Sequence, residues 1–288
     1  MVILIAMKVL VSGLNGFTGH FVQRELESQG HQVVGLKARL LDKIGIEHEV
    51  CQINPDAVIH LAAFAFVAHG NVDDFYNVNL IGTRNLLSGL ASCKPLPKCV
   101  LLASSANVYG NADVDIIDES TLPRPANDYG VSKLAMEYMA KTWLDKLPIV
   151  ITRPFNYTGQ GQSEQFLLPK IVAHYRRKAE FIELGNLDVE RDFLDVRVVA
   201  QCYRRLIEAP PPLGEILNVC SGRALSLLEI LKIMQDLTGH EMIVRVNPSF
   251  IRSNEVKRLC GSHVRLEAFI GSIENITLED TLYWMLNF

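Results

Sequence analysis

The sequence predicts an α/β protein built on a doubly wound parallel sheet, with a smaller α/β region in its second half. Three observations lead there. Short β-rich runs alternate with helix-period segments through the first 155 residues, the first run passes into a glycine-rich turn, and a Tyr-x-x-x-Lys pair lies on a later helical segment. Such alternation implies right-handed crossovers and a sheet covered by helices on both faces.

The elements follow in order. KVLVS, Lys8 to Ser12, reads as the first strand. The opening MVILIAMKVLVSGL has neither the basic flank nor the small-residue cleavage site of a signal peptide. It is also too short for a membrane span, so it is read as strand, with Met7 an alternative start. GHFVQRELESQG is a helix, HQVVGL the second strand and DAVIHLAA the third; the stretch between those two strands is short and is assigned no element. NVNLIGTRNLLSGLAS is a helix, KCVLLAS a strand, YGVSKLAMEYMAKTWL a helix and IVITRPF a strand. Beyond Pro154 the pattern loosens into FNYTGQGQ, followed by helices in LPKIVAHYRRKAE, DVRVVAQCYRRLIE and SLLEILKIMQDLTG and strands in EILNVCS and EMIVRVN. Residues 1–155 are expected to bind a nucleotide cofactor, and residues 156–288 mainly the substrate, partly interleaved with the first part.

Of 288 residues, 49% are hydrophobic and 21% charged, enough for a sizeable core. A formal net charge of −4 leaves no basic face for nucleic acid, and no membrane partner is expected. Six scattered cysteines without a C-x-x-C pair indicate neither a metal site nor a disulfide framework, and a reducing cytoplasm fits them.

Gly13, Gly16 and Gly19 after the first strand suit a tight strand-to-helix turn, where a pyrophosphate meets backbone N–H groups at a helix N-terminus. An NAD site places an acid at the end of the second strand; here Lys37 and Arg39 stand there, which suits a 2′-phosphate and favours NADP(H) over NAD(H), unless both are plain surface charges. Tyr129 and Lys133 share one helix face, and an ammonium near the phenol is expected to lower its pKa. With eight tyrosines in the chain one such pair carries little weight alone, but it follows a serine pair, Ser104 and Ser105, at the end of the fourth strand. A serine there can bond the carbonyl oxygen that the tyrosine protonates. His60 is expected to be packed and hydrogen-bonded, His69 is a candidate substrate contact, and Asn79 braces backbone. Asp192 and Asp195 cap or anchor the chain, and Cys220 is buried.

With these motifs, PDAVIHLAA, NLIGTRNLL, RPFN, RDFLDV and the tail RSNEVKRLCGS, the whole chain resembles the extended short-chain dehydrogenase/reductase family, in its branch of nucleotide-sugar epimerases, dehydratases and reductases. RPFNYTGQGQ, VERDFLDV, LNVCSG and CGSHVRL are most similar to the GDP-4-keto-6-deoxy-mannose reductases of that branch. The resemblance implies a Rossmann-like fold, a homodimer and a GDP-sugar substrate. It makes Ser105, Tyr129 and Lys133 catalytic. Gly13, Asn15, Gly16, Phe17, Thr18, Gly19, Lys37, Arg39, Leu61, Ala62 and Ala63 then bind cofactor, together with Tyr129 and Lys133. Ser105, Ala106, Asn107, Asn156, Arg191, Arg252 and Glu255 line the nucleotide-sugar. One departure stands out: the family's Asp-Leu pair near the third strand, which contacts adenine, is replaced by Arg39-Leu40.

Three reactions share this scaffold. A 4,6-dehydratase needs an acid and a base beside the sugar, and the family's dehydratases resemble S-T-[DS]-E-V-Y-G where this chain has SSANVYG. Ala106 and Asn107 can do neither job, so dehydration is disfavoured. A 4-keto reductase is expected; a 4-epimerase with bound NAD is the alternative, and a non-enzymatic NADP sensor is disfavoured because Ser105, Tyr129 and Lys133 are all present.

Overall fold

The computed structural model describes residues 6–64, 71–251 and 256–287. Its first half runs β1 (Lys8–Ser12), α1 (Phe17–Ser28), β2 (Gln32–Gly35), α2 (Lys43–Ile53), β3 (Ala57–His60), α3 (Val72–Tyr76), a π-helical turn (Asn77–Gly82), α4 (Thr83–Ser92), β4 (Cys99–Ala103), α5 (Asp128–Lys141) and β5 (Ile149–Pro154). The second half runs β6 (Asn156–Thr158), α6 (Leu167–Arg176), β7 (Phe181–Leu184), β8 (Glu190–Asp195), α7 (Val196–Glu208), β9 (Ile216–Val219), β10 (Ala224–Ser226), α8 (Leu227–Thr238), β11 (Ile243–Val246), β12 (Arg258–Leu259), α9 (Val264–Ile270) and α10 (Leu278–Leu286).

Six strands form one parallel sheet in the order β2-β1-β3-β4-β5-β9. Successive side chains of β1 serve opposite faces, as strand geometry requires. Val9 and Val11 pack with α1 and α7 through Val22, Leu26, Val198 and Val199, whereas Leu10 packs with α2 and α4 through Ile46, Val50, Leu86 and Leu87. The chain leaves β1 for β2 on one side and returns to β3 on the other, so a crevice opens at the carboxyl ends of β1 and β3, where ligands bind in such sheets.

Strand β9 comes from beyond residue 155 and completes this sheet, so EILNVCS belongs to the main layer. A third core, built from α6, α8, α10 and β7, buries Ile171, Ile182, Ile230 and Leu282. Among the described residues no helix is long and apolar enough to cross a membrane.

Three features depart from the sequence reading. The short stretch before β3 holds a helix, α2: Asp42 caps it by accepting from the Gly45 amide at 2.9 Å, and Ile46 and Val50 bury their side chains. The helix expected over NVNLIGTRNLLSGLAS begins as a π turn, in which the Thr83 hydroxyl donates to the Asn79 carbonyl at 2.7 Å. The expectation of no disulfide is corrected: Cys51 of α2 is bonded to Cys93 at the end of α4, with Cα atoms 5.2 Å apart and a sequence separation of 42. That pairing depends on two packed helices, and cysteine spacing holds no trace of it.

Candidate active site

The loops after β1, β3, β4 and β5 meet at the crevice. Gly13 has φ +76°, a conformation that favours glycine, and a Cβ there would lie 2.9 Å from the Ala62 amide nitrogen. The loops of β1 and β3 are stitched together by Ser12, whose hydroxyl accepts from the Ala62 amide at 3.2 Å and meets His60 Nδ1 at 2.6 Å. Gly19 lies against the Gly13 and Leu14 carbonyls, where any Cβ would collide at 2.4 and 2.3 Å. α1 starts after Gly16 with no side-chain cap, and among the described residues no side chain accepts from its first amides. A turn of this shape fits a phosphate-bearing cofactor. Asn15 is exposed; Phe17, Thr18, Leu61, Ala62 and Ala63 are half-buried around it.

At the end of β2, Lys37 and Arg39 are exposed, and among the described residues neither side chain has a hydrogen-bond or ion-pair partner. The turn that carries them is held from α2: the Glu49 carboxylate accepts from the Lys37 amide at 2.8 Å and the Ala38 amide at 2.6 Å. Leu40 lies against Gly82, and its carbonyl accepts from Asn85 at 3.0 Å.

Ser105 is buried and caps a short 3-10 turn (Ala106–Val108) that follows β4. Its Oγ accepts from the backbone amide and from Nδ2 of Asn107, both at 3.1 Å. Tyr129 lies in the first turn of α5, which is capped by Asn127 accepting from the Gly130 amide at 2.8 Å. Burial pushes the Tyr129 phenol up to about 12, and a hydrogen bond from Ser105 works against that rise. The expectation that Lys133 lowers this pKa is corrected here. Lys133 donates to the Ala103 carbonyl at 2.7 Å, and burial, which takes water from the phenolate, is the largest influence on Tyr129. Burial also lowers Lys133 to about 8, against the opposing charge of Glu137.

Behind these groups lies a buried polar network that sequence reading missed. Glu137, one turn beyond Lys133, pairs with Arg153 of β5 through Nε at 2.9 Å and Nη2 at 2.6 Å, and accepts from Ser104 at 2.5 Å. The Arg153 guanidinium lies 4.7 Å from the Tyr109 ring centroid, and the Tyr109 hydroxyl donates to Asn218 at 2.8 Å. Ser104 is thus tied into structure. Tyr157 was also missed: its ring stacks on Phe17 at 6.4 Å and its hydroxyl meets Thr18 at 2.9 Å, joining the start of α1 to β6.

His60 is packed, bonded to Ser12 and to Thr83 at 2.9 Å, and burial drops its pKa to about 3, so it stays neutral. Asn79 braces the Phe64 amide at 2.8 Å and its carbonyl at 3.1 Å. Asp195 caps α7 and chelates Arg197. Asp192, fully buried, accepts from the amides of Ser221, Gly222 and Gly261 and so anchors two segments to β8. Cys220 is buried.

Of the residues assigned to the nucleotide-sugar, Ala106 is buried beside Ser105, and Asn156 donates to the Asp192 carbonyl at 3.5 Å. Arg191 donates to the carbonyls of Glu190 at 3.0 Å and Lys257 at 3.2 Å. Arg252, Glu255 and His69 lie outside the described residues.

A doubly wound sheet with a glycine turn after β1, a serine at the end of β4 and a Tyr/Lys pair on α5 defines the extended short-chain dehydrogenases/reductases. The chain belongs to the NAD dependent epimerase/dehydratase family, whose model matches residues 9–220. It is 32% identical to a GDP-6-deoxy-D-talose 4-dehydrogenase of Aggregatibacter actinomycetemcomitans, over 92% of each chain. It is 33% identical to a GDP-6-deoxy-D-mannose reductase of Pseudomonas aeruginosa, over 97% of this chain and 96% of that one. The solved structure of RMD from Pseudomonas aeruginosa complexed with NADPH superimposes with a TM-score of 0.88 at 32% identity, covering 98% of both chains.

Proposed function

We infer that this protein reduces a 4-keto-6-deoxy sugar nucleotide, with a GDP-sugar as substrate and NADP(H) as preferred cofactor. The observation that carries the reading is the packing of α5, with Tyr129 and Lys133 at its start, on the turn that the buried Ser105 caps, where the next two residues, Ala106 and Asn107, supply no acid or base. The GDP-sugar relatives support the substrate class.

The residues divide the work as follows. The glycine turn and the uncapped start of α1 hold the pyrophosphate. When bound, the nicotinamide supplies hydride to C4. Ser105 donates a hydrogen bond to the C4 oxygen, which lowers the cost of the charge developing there. Tyr129, protonated at neutral pH because burial raises its pKa, delivers its proton to that oxygen. Lys133, whose ammonium already donates to the Ala103 carbonyl at 2.7 Å, would use its remaining N–H groups to hold the nicotinamide ribose.

Lys37 and Arg39, exposed and held on a turn fixed by Glu49, would meet the 2′-phosphate. Replacing both by alanine is expected to raise the KM for NADPH roughly tenfold to a hundredfold, about one to two factors of 1.4 kcal/mol, and to leave that for NADH nearly unchanged. Equal effects on the two cofactors in steady-state assays would remove the assignment. The reaction itself is tested by incubating purified protein with NADPH and GDP-4-keto-6-deoxy-mannose and following absorbance of the reduced cofactor. Consumption of NADPH is expected. Interconversion of a UDP-sugar without net cofactor consumption would support the 4-epimerase reading instead.

A further inference from the structure

We propose that Asn107 is a positioning residue that fixes the Ser105 hydroxyl as a hydrogen-bond donor toward the substrate's C4 oxygen. This rests on the reading in which Ser105 and Tyr129 share that oxygen.

A serine hydroxyl has two lone pairs and one proton, and its rotor is otherwise free to donate or accept. Here both acceptor positions are filled from one residue: the Asn107 backbone N–H and its Nδ2 each reach Ser105 Oγ at 3.1 Å. The remaining direction available to Ser105 is outward donation. Ser105 is 5% exposed, so water competes little for its lone pairs.

The consequence reaches Tyr129. If the serine oxygen had a lone pair to offer, the phenol could place its proton there, and that proton would be held away from the sugar. With both lone pairs taken, Ser105 and Tyr129 can donate to the same third oxygen without donating to each other.

The backbone holds Asn107 where this requires. The Val108 amide donates to the Ser105 carbonyl at 3.2 Å and the Tyr109 amide to the Ala106 carbonyl at 3.0 Å, closing the 3-10 turn. α5 packs directly on that turn, because a Cβ at Gly130 would come within 2.7 Å of the Asn107 carbonyl oxygen. The helix that carries Tyr129 and the turn that carries Ser105 therefore keep a fixed separation, and an asparagine at 107 is the right length to reach back two residues to Oγ.

The test is a double-mutant cycle on whichever C4 reaction the wild type performs, combining Asn107→Ala with Ser105→Ala. Asn107→Ala is expected to lower kcat about tenfold or more, close to the loss of one oriented donor. KM for the sugar nucleotide, Kd for NADPH and Tm should stay near wild type. In the Ser105→Ala background the same change should cost nothing further. Asn107→Asp adds a pH readout: the introduced carboxylate accepts the Ser105 proton, so kcat falls at neutral pH and recovers as the pH drops and the carboxyl becomes a donor. Additive losses in the cycle, a raised KM with kcat kept, or an Asn107→Asp variant with the wild-type pH profile would each overturn the proposal. A wild type inactive on both keto-sugar and UDP-sugar would instead remove the Ser105/Tyr129 reading, and the proposal with it.

Discussion

Tyr129→Phe is expected to lower turnover by about 10²–10⁴-fold, the range for loss of a positioned general acid, while NADPH binding and thermal unfolding stay close to wild type. The phenylalanine keeps the ring, and so its packing at 6.1 Å from Phe75, and removes only the proton donor. Isothermal titration with NADPH beside a steady-state assay separates the two effects; turnover within a few-fold of wild type would sink the role given to Tyr129. The pH dependence follows from the two perturbed groups. Tyr129 titrates near 12, so it remains loaded with its proton through the neutral range. Lys133 is lowered to about 8: it carries its charge below that pH and loses it above. The reductive rate should therefore decline as pH rises through about 8, and a rate that climbs through that window would contradict the part given to Lys133.

The second large effect lies behind the site. Glu137 and Arg153 form an ion pair whose side chains are only 2% and 4% exposed. Glu137→Gln leaves a buried guanidinium without its counter-charge, and a loss of about 3–5 kcal/mol is expected, which corresponds to a fall in Tm on the order of 10 °C for a chain of this size. The paired change Glu137→Leu with Arg153→Met should recover much of that loss, because it removes both charges together. Differential scanning calorimetry on the three proteins checks this. A Glu137→Gln variant as stable as wild type would show that the pair contributes little. Where the variant still folds, loss of the Glu137 charge should also lower the Lys133 pKa further and move the alkaline limb to lower pH.

Much of this molecule is legible in its sequence because the signals are local. Gly13, Gly16 and Gly19 sit between a strand and a helix, and the fold needs that spacing for one loop to approach Ala62. His60 and Asp195 announce themselves as packed and capping residues through their immediate neighbours. What escaped depends on partners far apart in the chain. Glu137 is one more polar residue on α5 until β5 brings Arg153 against it. Tyr157 matters because β6 lies against Phe17 and Thr18 at the start of α1. Glu49 belongs to a helix the sequence reading left unassigned, although Ile46 and Val50 already carry its i, i+4 spacing. Cys51 and Cys93 meet only because α2 and α4 pack side by side. The pKa of Tyr129 was misjudged for a related reason: the spacing of Tyr129 and Lys133 shows a shared face, whereas burial, the larger influence, is a property of the whole fold.

The central claim is hydride transfer to a C4 ketone of a sugar nucleotide, and single-turnover incubation of the protein with NADPH carrying deuterium at the transferred position tests it most directly. With GDP-4-keto-6-deoxy-mannose as substrate, the product analysed by mass spectrometry and NMR should carry one deuterium at C4 for each NADPH oxidised. Unlabelled product, or NADPH left intact beside an active enzyme, would contradict the account.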